Sequence, residues 1–173
     1  RYSPRGDQGG RADQQDPDVI ADGKAYSGDV LLNRQHEFDD GGTAPQKLVV
    51  VYGSLNGNVL LLVCTSKEKF GRRQVPGCHH EHGAFDSNFF LLPPAKKKGK
   101  FKSKQKPGFK APTWIILDPY YMPEKELAAR MDVGRAHRLF SLVDSDYQAL
   151  RSCFRKAPEF APFMDEFQEA RPD

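Results

Sequence analysis

Two apolar runs flanking a polar turn dominate the chain. Leu48-Val49-Val50-Val51-Tyr52 leads into Gly53-Ser54-Leu55-Asn56-Gly57-Asn58, and Val59-Leu60-Leu61-Leu62-Val63 then stops at Cys64-Thr65-Ser66-Lys67. Short runs dense in aliphatic and β-branched residues, bounded by turn residues, read as buried strands. Antiparallel pairing of these two would bring Lys47, at the mouth of the first, to Thr65 and Ser66, at the exit of the second. Four further strands follow from the same pattern. They are Gly28-Asp29-Val30-Leu31-Leu32-Asn33, Asn88-Phe89-Phe90-Leu91-Leu92 before Pro93-Pro94, Thr113-Trp114-Ile115-Ile116-Leu117 before Asp118-Pro119, and Arg138-Leu139-Phe140-Ser141-Leu142.

Helical spacing is confined to the second half. Pro123 to Met131 reads as a helix, with proline where its missing N–H is harmless and Glu124 and Glu126 near the positive end. Asp144 or Ser145 is expected to cap a second helix reaching about Lys156, with Tyr147, Leu150 and Phe154 on one face and Pro158 beyond its end. Glu37 to Gln46, with Gly41-Gly42, reads as a loop, and Asp118, Tyr120 and Tyr121 as a turn with core aromatics. Successive strands without helical crossovers argue against a parallel α/β sheet. The expected fold class is mainly β with α: a small, strongly curved sheet or barrel with a C-terminal helix.

At 173 residues, with 12 Phe, 6 Tyr and 1 Trp, the chain can build one modest core. Residues 1–26 hold little apolar surface and are expected to be a disordered tail. The domain proper is placed at 27–157, with a long insertion at 93–112. Residues 158–173 form an aromatic extension carrying Phe160, Phe163, Met164 and Phe167, residues that suit packing against a partner. The net charge of +3 conceals a polarised distribution, because Lys96 to Lys110 contains eight lysines and no acid. Three cysteines, Cys64, Cys78 and Cys153, suggest no disulfide framework and fit a reducing compartment. No apolar run approaches the roughly 20 residues of a membrane span and no signal peptide is evident, so a cytoplasmic protein is expected.

Several clusters carry possible chemistry. Cys78-His79-His80-Glu81-His82 has the residue types of a zinc site. Its spacing is too tight for finger or ribbon patterns, and adjacent ligands do not complete a tetrahedron without a distant partner. The expectation is a polar loop hinged at Gly77 and Gly83, with no metal and no cofactor. Arg72 and Arg73 in the same loop suit phosphate contact or solvent equally. Lys96, Lys97, Lys98, Lys100 and Lys102, with Phe101 and Phe109 interleaved, have the composition of a nucleic-acid arm: cations for phosphate and rings for base stacking. A self-repelling solvated insertion is the alternative. His36 and His137 carry no spacing signal.

The order of these elements resembles the PemK/MazF-like toxin family, the SH3-like barrels of toxin–antitoxin endoribonucleases. Gly28-Asp29-Val30-Leu31 is similar to that family's opening strand, and Lys47-Leu48-Val49-Val50-Val51 to its strand beginning Arg-Pro-x-Val-Val. Cys64-Thr65-Ser66-Lys67 is similar to the threonine-bearing strand end. Trp114 to Tyr121 and the helix from Ser145 fall where the family has its late strand and terminal helix. The resemblance covers about residues 27–156. It implies metal-independent cleavage of single-stranded RNA by the ribose 2′-hydroxyl, assisted by an Arg and a Thr or Ser. By position these become Lys47, Thr65 and Ser66, with Lys67, Arg72, Arg73, His80 and His82 bordering the RNA groove. Lys47 departs from the family's arginine: a lysine is a point charge rather than a planar fork. An antitoxin protein and a second copy of the chain are the implied partners. The competing expectation is a non-catalytic SH3-like barrel that binds nucleic acid or a protein within a toxin or defence system.

Overall fold

The strand pair read from the two apolar runs is the centre of the fold. A computed structural model describes residues 19–38, 40–67, 75–80, 88–95 and 108–157. In chain order its elements are β1 (Val19–Ile20), β2 (Ala25–Tyr26), β3 (Asp29–Glu37), β4 (Thr43–Leu55), β5 (Asn58–Thr65), β6 (Gly77–His79), β7 (Phe89–Leu92), β8 (Thr113–Ile116), β9 (Tyr120–Pro123), α1 (Glu124–Asp132), β10 (Ala136–Ser141) and α2 (Asp144–Arg155). The main sheet runs β10-β3-β4-β5-β8-β7-β6, every described pair antiparallel. The far edge of β5 is shared: its first half pairs with β9 and its last two residues with β8. β1 and β2 form a separate small hairpin.

Asn56 and Gly57 turn β4 into β5, with φ of 51° and 76°. Both central residues of this two-residue turn are left-handed, the geometry that follows strand twist and that Asn-Gly accommodates best. The turn sets the register, in which Leu48 faces Cys64 and Val50 faces Leu62. A bulge between Val51 and Gly53 bends the ladder.

Alternate residues of the central strands serve two different cores. Val50, Tyr52, Leu60, Leu62 and Cys64 pack with Ile115, Leu117 and the α2 residues Leu150, Cys153 and Phe154. Val49, Val51, Val59 and Leu61 pack with Ile20, Ala25, Leu127 and Ala128 from the hairpin and α1. Coverage on both faces explains why β4 and β5 read as continuous apolar runs rather than alternating ones. Each fully buried Leu contributes about 2 kcal/mol. The α2 face is held further by the Tyr52 and Phe154 rings, 4.5 Å apart, and by the Tyr147 hydroxyl, which donates to the Tyr52 carbonyl at 2.7 Å.

Gly28-Asp29 is a junction. Gly28 has φ of +91°, and a Cβ there would lie 3.3 Å from the Tyr147 ring. Its N–H donates to the Val51 carbonyl at 2.7 Å, and its carbonyl accepts from Leu142 N–H at 2.9 Å. The Asp29 carboxylate, 1% exposed, accepts from Tyr26 N–H at 2.9 Å and from the Ser141 hydroxyl. Arg138 lies 3.7 Å away. Two residues thus tie β2, β4, β10 and the start of α2 together.

Several sequence expectations need correction. Residues 19–26 are not tail: Ile20 and Ala25 are buried in the second core. β4 begins at Thr43, inside the expected loop, because Thr43 and Ala44 extend the ladder to Glu37 and His36. Tyr120–Pro123 is a strand, since β5 outlasts β8 and leaves an edge for it. Neither Asp144 nor Ser145 caps α2; Val143 occupies the cap without a side-chain bond, and Asp144 and Asp146 sit in the first turn. Phe109 is no stacking platform: it is 5% exposed, with its ring 5.1 Å from that of Phe140. Cys78 and Cys153 are joined by a disulfide, with Cα atoms 5.4 Å apart, and Cys64 is free. That bond removes the cysteine argument for a reducing compartment. No described helix is long and apolar enough to cross a membrane. Residues 1–18 and the aromatic extension from 158 onward lie outside the described residues.

Candidate functional site

Lys47, the fifth residue of β4, and Thr65, the last of β5, open into one cleft. Leu48 and Cys64 are partners in the ladder, so Lys47 and Thr65 lie beside one another one step further on. The neighbouring ladders extend this row, with Asn33 facing Lys47 and Trp114 facing Thr65. The cleft has a volume of about 470 Å³ and is lined by Gln46, Lys47, Thr65, Ser66, Lys67 and Thr113, with Leu32, Leu48 and Cys64 as its apolar part. Three of the residues assigned by resemblance, Lys47, Thr65 and Ser66, are therefore brought together, and Lys67 joins them.

Local bonding shapes the polar wall. Thr65 Oγ1 accepts the backbone N–H of Lys67 at 3.2 Å. This small turn ends β5, orients Ser66 and Lys67, and leaves the Thr65 hydroxyl hydrogen to be directed elsewhere. Thr113 donates to the Ala111 carbonyl at 3.0 Å. The Lys47 ammonium lies 6.0 Å from the centroid of Phe38, at the outer limit of a cation–π contact. Ser66 and Lys67 are exposed, Lys47 is half-buried, and Thr65 is buried.

Cys64 lines the same cleft but is chemically quiet. Burial pushes its thiol up to about 12, against a smaller opposing effect of the Lys47 charge. At neutral pH it is a neutral thiol, and the thiolate is the nucleophilic form. What the cleft offers is two ammonium groups, three hydroxyls and an amide, a set suited to an anionic oxygen ligand such as a phosphodiester. Among the described residues that line it there is no carboxylate and no imidazole.

The other site residues expected from sequence lie elsewhere or outside view. His80 does not line the cleft. Its Nδ1 lies 3.0 Å from Asn88 Oδ1, and its Nε2 lies 3.1 Å from both Cys78 Sγ and the Cys153 carbonyl, against α2. Arg72, Arg73, His82, Lys96, Lys97, Lys98, Lys100 and Lys102 are outside the described residues. The ends of the lysine segment do meet, because Ala95 N–H donates to the Phe109 carbonyl at 2.8 Å.

His36, which had no spacing signal, is 2% exposed. The Asn33 side-chain amide reaches its Nδ1 at 3.1 Å, and its ring meets Phe38 and Tyr120 edge-on. Arg130 approaches Asn33 Oδ1 at 3.5 Å. This buried polar group braces the strand next to Lys47, and nothing local in the sequence announces it.

No protein-family model, no curated protein and no solved structure matches this chain.

Proposed function

We propose that this protein is a metal-independent endoribonuclease of the PemK/MazF-like type, acting on single-stranded RNA. The observation that carries the reading is the cleft in which Lys47 and Thr65 stand side by side on β4 and β5. The continuous antiparallel ladder and the helix α2 covering one face support an SH3-like barrel for this class.

In this reading the RNA supplies its own nucleophile. The 2′-hydroxyl oxygen attacks the adjacent phosphorus, the bond to the 5′-oxygen breaks, and the products are a 2′,3′-cyclic phosphate and a 5′-hydroxyl. The proton lost by the 2′-oxygen is balanced by the one gained at the 5′-oxygen. The protein's task is electrostatic. Lys47 neutralises the charge that builds on the pentacovalent phosphate, and Lys67 adds to the field at the rim. Thr65, its oxygen already engaged by Lys67 N–H, donates its hydroxyl hydrogen to a phosphate oxygen. Ser66 orients the attacking or leaving oxygen. A neutral Cys64 is consistent with chemistry that needs no protein nucleophile. An antitoxin segment and a second copy of the chain are the partners this reading entails.

A second reading has its own support. Lysine stands where the resemblance expects arginine, and the described lining holds neither carboxylate nor imidazole. Both favour a barrel that holds RNA without cutting it. Incubation with mixed-sequence RNA in EDTA separates the two. Cleavage leaving 2′,3′-cyclic phosphate ends is expected; saturable binding without cleavage would replace the first reading with the second.

A further inference from the structure

The Cys78–His82 stretch fails as a metal site by itself because its ligands are adjacent in sequence. The fold supplies the distant partner that was missing. Cys153, on α2, reaches the same point as Cys78 and His80, and the three ligand atoms all lie within 4.8 Å of one another.

The histidine is aimed. Asn88 Oδ1 lies 3.0 Å from Nδ1, and in the tautomer with the ring hydrogen on Nδ1 the Nε2 lone pair is available to an ion. Nε2 lies 3.1 Å from Cys78 Sγ and from the Cys153 carbonyl, and 3.7 Å from Cys153 Sγ. Asn88 is 5% exposed and stands where the orienting partner of a metal-bound histidine stands, on the other ring nitrogen. Two sulfurs and an imidazole nitrogen are soft-to-borderline donors that suit Zn²⁺. Cys153 is buried, His80 half-buried and Cys78 exposed, so an ion or a reductant can enter from the Cys78 side.

We propose that, with the Cys78–Cys153 bond reduced, Cys78 Sγ, Cys153 Sγ and His80 Nε2 bind one zinc ion, making metal and disulfide alternative closures of the same β6–α2 junction. The exchange balances. A dithiol reductant delivers two electrons and two protons, the S–S bond breaks, and the reductant closes into its own disulfide. Zinc then displaces the two thiol protons into solvent. Three protein ligands leave one tetrahedral position for water or an external ligand. None of the three lines the cleft of Lys47 and Thr65, so this site stands independently of the proposed RNA chemistry.

The test uses the full chain without a histidine tag, reduced by a dithiol that is then removed anaerobically, and titrated with Co²⁺. One equivalent should bind with thiolate-to-cobalt charge-transfer absorption and the visible bands of a tetrahedral ion, and Zn²⁺ should displace it. The oxidised protein should show none of this. Cys78→Ser, at an exposed position, should lose the charge-transfer band. Asn88→Ala, which removes the hydrogen-bond partner of His80 Nδ1, should weaken binding by about 10- to 100-fold. If the reduced chain loses its circular dichroism, one equivalent of zinc should restore it. The proposal is overturned if reduced wild-type protein shows no stoichiometric thiolate band, if oxidised protein binds equally, if Cys78→Ser or His80→Ala binds like wild type, or if zinc fails to restore a chain unfolded by reduction. These outcomes would leave His80 as a donor to the Cys153 carbonyl beside a structural disulfide.

Discussion

Leu48 of β4 faces Cys64 of β5 across the central ladder, and that pairing places Lys47 beside Thr65 where β5 ends. All four residues line the cleft, while Cys64 also belongs to the core and Leu48 packs against it.

If the chain cleaves RNA as proposed, Lys47→Ala and Thr65→Ala should each abolish cleavage while the fold persists. Thr65 is buried, so its loss leaves Lys67 N–H without its acceptor and should cost about 1 kcal/mol. Lys47→Arg should retain or raise activity, since the guanidinium grips phosphate with two parallel bonds. Thermal melts alongside gel assays of RNA cleavage decide this. A Lys47→Ala protein that cleaves like wild type would remove Lys47 from the mechanism.

Stability should fall between about pH 9 and 12. Buried Cys64 holds its proton up to about 12, whereas the unfolded thiol releases it near 9.0. In that window the unfolded chain binds fewer protons than the native one, so unfolding becomes easier as pH rises. The full effect for one group is about 4 kcal/mol, at about 1.4 kcal/mol per pH unit. Tyr52, also raised by burial, works in the same direction above its ordinary value of 10.0. Urea titrations from pH 8 to 11 should show this decline, and a Cys64→Ala variant should show a shallower one.

Gly28→Ala should destabilise the domain by more than about 1 kcal/mol. The new methyl group meets the Tyr147 ring at 3.3 Å, and a φ of +91° strains any residue with a Cβ. Tyr147→Phe, which keeps the ring but removes its bond to the Tyr52 carbonyl, should cost about 1 kcal/mol. Chemical denaturation midpoints compare the two; equal stability of Gly28→Ala and wild type would contradict the junction role.

Replacing residues 96–107 with a short Gly-Ser link should leave the fold intact, because Ala95 and Phe109 are already bonded. Phe109 must stay, since it belongs to the core. If the lysines contact RNA, binding should weaken and its salt dependence flatten by about 0.7 log–log units per lost single-strand phosphate contact. Filter binding across a salt series measures this, and an unchanged slope would assign the segment no RNA contact.

Reduction in EDTA should lower stability. The Cys78–Cys153 bond closes a loop of sequence separation 75, for which chain entropy gives about 4 kcal/mol. Calorimetry of the oxidised and reduced protein, with Cys78→Ser as a reductant-insensitive control, should show that loss.

Much of the scaffold was legible because it rests on local signals. The Leu48–Tyr52 and Val59–Val63 runs, the Asn-Gly turn between them and the acidic start of α1 all declare themselves within a few residues. The cleft was legible for the same reason: a tight turn between two apolar strands leaves antiparallel pairing as the simplest arrangement, and Lys47 then meets Thr65. Tyr120–Pro123 was harder. It is a strand only because β5 extends beyond β8 and offers unpaired backbone groups.

The sequence alone determined the central strands, the Phe89 and Trp114 strands and the two helices, since side-chain periodicity and backbone propensity are properties of neighbouring residues. Tertiary structure alone decided the rest. It buried the 19–26 hairpin in one core with α1, put Phe109 in the other core rather than on a nucleic-acid arm, and brought Cys153 to Cys78 and His80. Each of these depends on segments that approach only once the sheet has formed, and no local pattern records a contact between residues that far apart.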